Sequence, residues 1–178
     1  MIYPILTTLM HFVSGWFFFY DFTPIFFIKT IDKDGVGCYL FQNAYVLEAD
    51  LVLSNPKLIR KYEYSSNILG IPVERTDDWC LYTDKNGNIT EQCVGGRNCY
   101  QMVGISYWNA EAGAKLANDM DEVYRSPGGK ERYWDQVALH YKKENYQVAI
   151  RECKMEDIVE IDSFNELKQI DSLYADKN

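Results

Sequence analysis

Five short stretches of the sequence hold the side chains best suited to chemistry. Carboxylate oxygens are the ligands that Mg2+ prefers, and aromatic ring faces attract organic cations. A site with both kinds of group favours chemistry on a phosphate ester that also carries an ammonium group. The stretches are Ala44-Tyr-Val-Leu-Glu-Ala-Asp50, Trp79 after Thr76-Asp-Asp78, Gly104-Ile-Ser-Tyr-Trp108, Tyr133-Trp-Asp135 and Val159-Glu-Ile-Asp162.

The length and composition of the chain fit a single globular domain that positions these residues. The chain has 178 residues, of which 47% are hydrophobic and 15% aromatic, and a chain of this size can bury a proper core. Its 18 Lys and Arg residues against 26 Asp and Glu residues give a formal net charge of -8. Because that charge repels a phosphate backbone, nucleic acid is not expected as a partner.

The cysteines and histidines predict neither a zinc site nor a nucleophilic hydrolase. No CxxC pair occurs, the number of cysteines is odd, and His11 and His140 lie apart from them in the sequence. We therefore expect reduced, mostly buried thiols in a cytoplasmic protein. The cysteines are Cys38, Cys80, Cys93, Cys99 and Cys153.

The N-terminal segment differs in kind from the rest of the chain. Residues 1–20 contain no Lys, Arg, Asp or Glu, and a further aromatic run follows them. Three interpretations of residues 1–28 stay open: a membrane or interfacial segment, a secretory signal, and buried or non-native sequence. Pro4 and Gly15 count against a spanning helix, and a signal needs a positive start and a small-residue cleavage site. Membrane attachment through this segment is thus not favoured.

From residue 41 onward the pattern alternates strands with helices, which predicts an α/β fold with a mixed, mostly parallel sheet and flanking helices. Asn-Gly at positions 86 and 87 predicts a hairpin, and Asn55, Asn109 and Ser163 predict helix starts. The predicted strands are 44–50, 68–73, 100–108, 147–150 and 158–161, with a hairpin over 79–94. The predicted helices are 55–64, 109–125, 130–144 and 164–174.

Taken in order, the five stretches resemble the second half of the bacterial phosphocholine cytidylyltransferases, members of the nucleotidyltransferase superfamily. The similarity covers about three quarters of the chain. It implies a Rossmann-like nucleotidyltransferase fold without its N-terminal units. Residues 41–178 would then be the half that binds the acceptor substrate, and residues 1–40 would be an aromatic, apolar segment unrelated to the family.

The resemblance also implies a reaction in which CTP and phosphocholine give CDP-choline and pyrophosphate. A divalent cation, Mg2+ in this family, would neutralise the two anionic reactants. By match to the family, Asp50 and Asp162 would be the catalytic metal ligands, with Asp135 as a competing candidate. The choline group would contact Trp79, Tyr133, Asp135 and Glu160.

Three aromatic or acidic residues near these positions have other interpretations. Trp108 and Trp134 are expected in the core, because a Trp at strand or helix spacing is more often buried than part of a binding site. Two interpretations of Glu48 stay open: it either supports the metal ligands or lies on the surface of its strand.

One departure from the family affects activity. The Gly-rich loop that holds the nucleotide has no counterpart in residues 1–42, and Gly35 with Gly37 is a weak substitute. We therefore expect a truncated or frameshifted form with little or no activity, so whether it is an enzyme stays open. The alternatives are another acceptor, such as a sugar phosphate or aminoethylphosphonate, and a non-catalytic remnant that binds a membrane or a partner. The oligomeric state is unknown.

Overall fold

The computed structural model describes residues 43–48, 50–171 and 174, and the backbone of Trp16–Tyr20. The predictions for residues 1–40, including those for His11 and Cys38, lie outside the described residues apart from that backbone strand. The strands are β1 (Trp16–Tyr20), β2 (Ala44–Glu48), β3 (Leu51–Leu53), β4 (Asn67–Thr83), β5 (Ile89–Trp108), β6 (Ala149–Glu152) and β7 (Ile158–Glu160), and the α-helices are α1 (Ala110–Arg125) and α2 (Phe164–Ile170).

The main sheet is mixed, as predicted, with the strand order β1-β2-β5-β4-β6, and β3 pairs with β7 in a separate small sheet. Within the described strands only β4 and β6 run parallel, whereas the other pairings of the main sheet are antiparallel. The prediction of mostly parallel strands therefore differs from the structure. The reason is that β4 and β5 are the two arms of one long hairpin, which can only pair antiparallel.

The turn of this hairpin confirms the Asn-Gly prediction. The Asp84 carboxylate accepts hydrogen bonds from the backbone N–H groups of Asn86 and Asn88, at 2.8 and 2.9 Å. Gly87 has a φ of 81°, a conformation that glycine adopts at little cost. The predicted strands at 68–73 and 100–108 are continuous with the predicted hairpin, so each arm is much longer than expected.

Both faces of the sheet are covered by a hydrophobic core. Neighbouring residues of a strand point to opposite sides and therefore belong to different cores. Val46, Ile68 and Trp108 belong to the core on the α1 face, while Tyr45 and Leu69 belong to the core on the other face. Trp108 is 1% exposed. Its ring makes an edge contact with the ring of Trp134 at 5.9 Å between centroids, which agrees with the prediction that both lie in the core.

Two predicted helices are replaced by shorter turns. The 55–64 helix is only a 3-10 turn over Pro56–Leu58, because the Leu58 carbonyl accepts a hydrogen bond from Arg151 and the chain beyond it is held by tertiary contacts. The 130–144 helix is three separate turns, Gly129–Glu131, Val137–Tyr141 and Lys143–Asn145. Tertiary packing of the Tyr133-Trp-Asp135 stretch overrides helix propensity there.

Two further findings concern the whole described region. The described cysteines, Cys80, Cys93, Cys99 and Cys153, are all free, as predicted. Within the residues that the structure describes, no helix has both the length and the apolar character that a membrane crossing requires.

Candidate functional site

The chain segments that carry Glu48 and Trp79 share one edge of β5. β2 pairs with Ile105–Trp108, and the segment that starts at Trp79 pairs with Tyr100 and Gln101. The first part of β4 occupies the opposite edge of β5 at both places, so β2 and the Trp79 segment share one edge. Both run antiparallel to β5, and the end of β2 therefore faces the start of the Trp79 segment across residues 102–104.

An acidic cluster lies at the end of β2. Carboxylate oxygens of Glu48, Asp50 and Glu160 all lie within 4.8 Å of one another. Glu160 is brought there by the small sheet, in which Leu51 of β3 is paired with Glu160 of β7. The Ile161 N–H donates to the Asp50 carbonyl at 2.9 Å, which fixes the two chain segments together.

Gly104 provides the room for the Glu48 side chain. Its φ is 65°, in the region that favours glycine. A Cβ at this position would overlap the Glu48 carboxylate. The presence of glycine at the start of the Gly104-Ile-Ser-Tyr-Trp108 stretch thus has a direct physical explanation, since any larger residue would push Glu48 out of the cluster.

The pKa shifts show a site that is rich in negative charge. Burial, together with the neighbouring negative charges of Asp50, Asp135 and Glu160, raises the pKa of Glu48 to about 7. Burial also raises the pKa of Glu160, with added repulsion from Asp162 and Asp50. Among the described residues, no Lys or Arg forms an ion pair with the cluster acids. A bound cation would relieve this repulsion.

Trp79 and Tyr133 are in contact, although they lie 54 positions apart in the sequence. Their ring centroids are 5.7 Å apart and the rings are nearly perpendicular, at 73°. Tyr133 is 59% exposed, so its ring is accessible from solvent. Trp79 follows Asp78, whose carboxylate accepts the Trp79 backbone N–H at 2.6 Å. This pair, called here the aromatic wall, stands at the start of the segment that follows β2 along the edge of β5.

Asp135 is the most deeply buried of the predicted site residues, at 6% exposed. It accepts a hydrogen bond from the Gln92 side chain. Burial raises its pKa, while the bond from Gln92 opposes that shift. The carboxylate contributes to the negative potential at Glu48, and its role in binding a cation stays a prediction.

Asp162 stands apart from the group of three. It is exposed, and its backbone N–H donates to the Glu166 carboxylate at 2.9 Å in the capping box that starts α2. Its charge still acts on Glu160. The described structure thus groups Asp50 with Glu48 and Glu160, whereas the sequence prediction paired Asp50 with Asp162. In the strand predicted over 44–50, the period of two would place Glu48 and Asp50 on one side, and this is the sequence signal that points to Glu48.

The fold is that of the nucleotidyltransferases. The solved structure of the CTP:phosphocholine cytidylyltransferase from Streptococcus pneumoniae superposes with a TM-score of 0.61 at 25% identity, over 72% of this chain and 56% of that one. A protein assigned as a glucose-1-phosphate thymidylyltransferase from Bacillus anthracis superposes with a TM-score of 0.51 at 15% identity, over 75% of this chain and 55% of that one. The second match supports the fold alone.

The relatives in sequence are cytidylyltransferases, which confirms the resemblance drawn from the five stretches. The chain is 31% identical over 132 residues to a 2-aminoethylphosphonate cytidylyltransferase from Lancefieldella rimae, a match that covers 74% of this chain and 53% of the relative. It is 24% identical over 136 residues to the choline-phosphate cytidylyltransferase of Streptococcus pneumoniae, covering 76% and 59%. The corresponding enzyme of Haemophilus influenzae is 23% identical over 158 residues, covering 85% and 67%.

No family model matches the chain. The chain spans only about half of the length of the first of these relatives, 53%, and 59% of the second.

Proposed function

We propose that the described region binds the acceptor substrate in a cytidylyl-transfer reaction. The acceptor is a small phosphate or phosphonate that carries an ammonium group, and the donor is CTP. One observation carries the proposal: in a chain similar to cytidylyltransferases, the acids Glu48, Asp50 and Glu160 lie at the same edge of β5 as the Trp79–Tyr133 pair. Residues 41–178 form this acceptor-binding part in the proposal.

In the proposed reaction an oxygen of the acceptor phosphate or phosphonate attacks the α-phosphorus of CTP. The new P–O bond forms as the bond to the β-phosphate oxygen breaks, and pyrophosphate leaves with that electron pair. Both reactants are anions, so bringing them together requires compensation of charge. A bound Mg2+ would supply that compensation.

The acids present fit such an ion. Mg2+ is commonly bound through one or two carboxylates together with substrate phosphates. In the proposal Asp50 and Glu160, two of the three clustered acids, would hold the ion. Asp162, the partner proposed from the family match, contributes its charge next to Glu160. In this proposal these residues would hold the ion, which would supply positive charge to the acceptor phosphate.

The ammonium end of the acceptor is proposed to lie against the aromatic wall. A cation within about 6 Å of an aromatic centroid is attracted to the ring face. Tyr133 is exposed enough to present its face, and Trp79 contacts it. Asp135 and Glu160 would add negative charge on the side that the rings leave open. A cytoplasmic location, expected from the free thiols, belongs to the same proposal.

Two acceptors are compatible with this proposal. Phosphocholine follows from the family resemblance of the five stretches. 2-Aminoethylphosphonate is the second candidate, because the relative that acts on it is 31% identical, against 24% for the choline-phosphate enzyme of Streptococcus pneumoniae. Both molecules carry an anionic phosphorus group and a cationic nitrogen. Two carbons separate them in 2-aminoethylphosphonate, and an ester oxygen and two carbons separate them in phosphocholine.

Calorimetric titration of the chain with each acceptor, with and without Mg2+, tests the proposal. We expect binding of an ammonium-bearing phosphate or phosphonate that strengthens at least tenfold with Mg2+, and no binding of glucose 1-phosphate. Asp50→Asn should remove the Mg2+ effect, while Asp121→Asn, on the exposed face of α1, should not. Adding CTP and measuring pyrophosphate release then tests whether the chain completes transfer. Absence of acceptor binding in every condition would refute the proposal.

A further inference from the structure

Glu48 is the acid of this site for which the family match assigned no role. Its side chain is half-buried, and a glycine with positive φ keeps the space that its carboxylate occupies. Burial of a carboxylate that repels its neighbours costs stability. A residue held in place at such a cost is a strong candidate for direct contact with a ligand.

The aromatic wall is one-sided. The Trp79 and Tyr133 rings touch edge to face at 5.7 Å between centroids, so a cation cannot fit between two parallel faces of these rings. A trimethylammonium group donates no hydrogen bonds and depends on surrounding ring faces. Two touching rings surround it poorly.

The other side of the site is acidic. The charges that act on Glu48 come from Asp50, Asp135, Glu160 and Asp78, and all of them are negative. Asp78 precedes Trp79 in the sequence, and Asp135 ends the Tyr133-Trp-Asp135 stretch. Glu48 ends β2 beside Gly104, and the Trp79 segment comes next along the same edge of β5, so Glu48 adjoins both the other acids and the start of that segment. A primary ammonium, with three N–H donors, can use such acceptors, whereas a quaternary ammonium cannot.

We propose that Glu48 is a specificity-determining residue of the acceptor site, where its carboxylate accepts a hydrogen bond from the ammonium group and so favours primary over quaternary amines. This inference rests on the proposed function, because it assumes that the acceptor binds at this edge of β5. Asp50 and Glu160 would hold the divalent ion that the phosphorus end requires, and Glu48 would contact the nitrogen end.

The test uses two ligands that differ only in three methyl groups, phosphoethanolamine and phosphocholine, titrated into the chain with saturating Mg2+. A charge-assisted hydrogen bond lost to methylation lowers affinity by about tenfold or more. The wild-type chain should therefore bind phosphoethanolamine at least about tenfold more tightly than phosphocholine. Glu48→Gln removes one negative charge and should weaken both ligands, but it should weaken phosphoethanolamine by about that factor more than phosphocholine and so bring the two affinities close together.

Asp78→Asn is the matched control, because it removes one negative charge from the same neighbourhood without removing Glu48. It should weaken both ligands alike and leave their ratio unchanged. Gly104→Ala is the second variant. It displaces the Glu48 carboxylate while keeping its charge, and it should lower the ratio as Glu48→Gln does. Circular dichroism and thermal melting report whether each variant is folded.

Three results would overturn the inference, and they separate it from the proposed function. Equal wild-type affinity for the two ligands, or a preference for phosphocholine, refutes it while leaving acceptor binding intact. An equal loss for both ligands in Glu48→Gln, together with weaker Mn2+ binding in the absence of acceptor, makes Glu48 a metal ligand. Failure of the wild type to bind either ligand removes the proposed function, and the inference with it.

Discussion

Two clusters of this molecule contain a buried or half-buried glutamate, and they differ in how its charge is compensated. Glu63, with 5% of its side chain exposed, forms an ion pair with the buried Arg151. Tyr45 donates a further hydrogen bond to the Glu63 carboxylate. Glu48 instead lies among acids, and its pKa is raised to about 7. The first cluster holds the 54–66 loop to the sheet, whereas no Lys or Arg of the described residues pairs with the acids of the second, which are suited to bind a cation.

This difference teaches how to separate structural from functional charge in a single fold. A buried carboxylate with a complete set of partners stabilises a tertiary contact and needs nothing more. A carboxylate that repels its neighbours lowers stability until a ligand arrives. The predictions below test the contrast, first by disrupting the paired cluster and then by relieving the unpaired one.

Replacement of Arg151 by Met should have the largest effect. It leaves Glu63 buried without its ion pair and the Leu58 carbonyl without its donor. Loss of one partner of a buried pair costs about 3–5 kcal/mol in the free energy of unfolding. Urea denaturation measures this loss. The control is Arg125→Met, which breaks an exposed i,i+4 pair with Asp121 and should cost no more than about 0.5 kcal/mol. Similar costs for the two variants would contradict the assignment.

Replacement of Gly104 by Ala should have an intermediate effect. A Cβ there meets the Glu48 carboxylate and is added at a φ of 65°. Backbone strain together with displacement of Glu48 should cost about 2 kcal/mol in the free energy of unfolding. Gly128→Ala separates the two causes, since its φ is 71° but no atom lies within 4 Å of the added Cβ. Gly104→Ala should therefore be the more destabilising change, and equal losses would mean that Glu48 does not occupy the space.

The smallest effect concerns pH. Because the folded-state pKa of Glu48 is about 7, above the value of about 4.3 for an exposed Glu, its ionisation opposes folding. In EDTA the wild-type chain should lose stability relative to Glu48→Gln as pH rises from about 4.3 to 7, by about 1 kcal/mol after allowing for partial exposure. Paired thermal melts at pH 5 and pH 8 measure this difference. A stability difference between wild type and Glu48→Gln that is the same at pH 5 and pH 8 would contradict it.

Local signals in the sequence were sufficient for the elements that depend on a few neighbouring residues. The Asn86-Gly87 turn and the caps of α1 and α2 at Asn109 and Ser163 are present as predicted. Each depends on side-chain to backbone hydrogen bonds within about five positions, which propensity rules describe well. The five stretches also identified Trp79 and Tyr133, whose rings are in contact.

Elements that depend on long-range pairing could not be found in this way. The 55–64 helix is absent because Arg151, far along the chain, donates a hydrogen bond to the Leu58 carbonyl and forms an ion pair with Glu63. The contact of Glu160 with Asp50 depends on pairing of β3 with β7. No local pattern shows that pairing, so the sequence could not say that Glu160 rather than Asp162 comes within reach of both Asp50 and Glu48.

The central claim is that the acids at the end of β2 and the Trp79–Tyr133 pair form one acceptor pocket. Calorimetric titration of phosphoethanolamine with Mg2+ into wild type, Trp79→Leu and Asp50→Asn tests it most directly. If the claim holds, each substitution lowers affinity for this one ligand by about tenfold or more. Affinity that is unchanged by either substitution in a folded variant would show that the acids and the rings do not serve the same ligand.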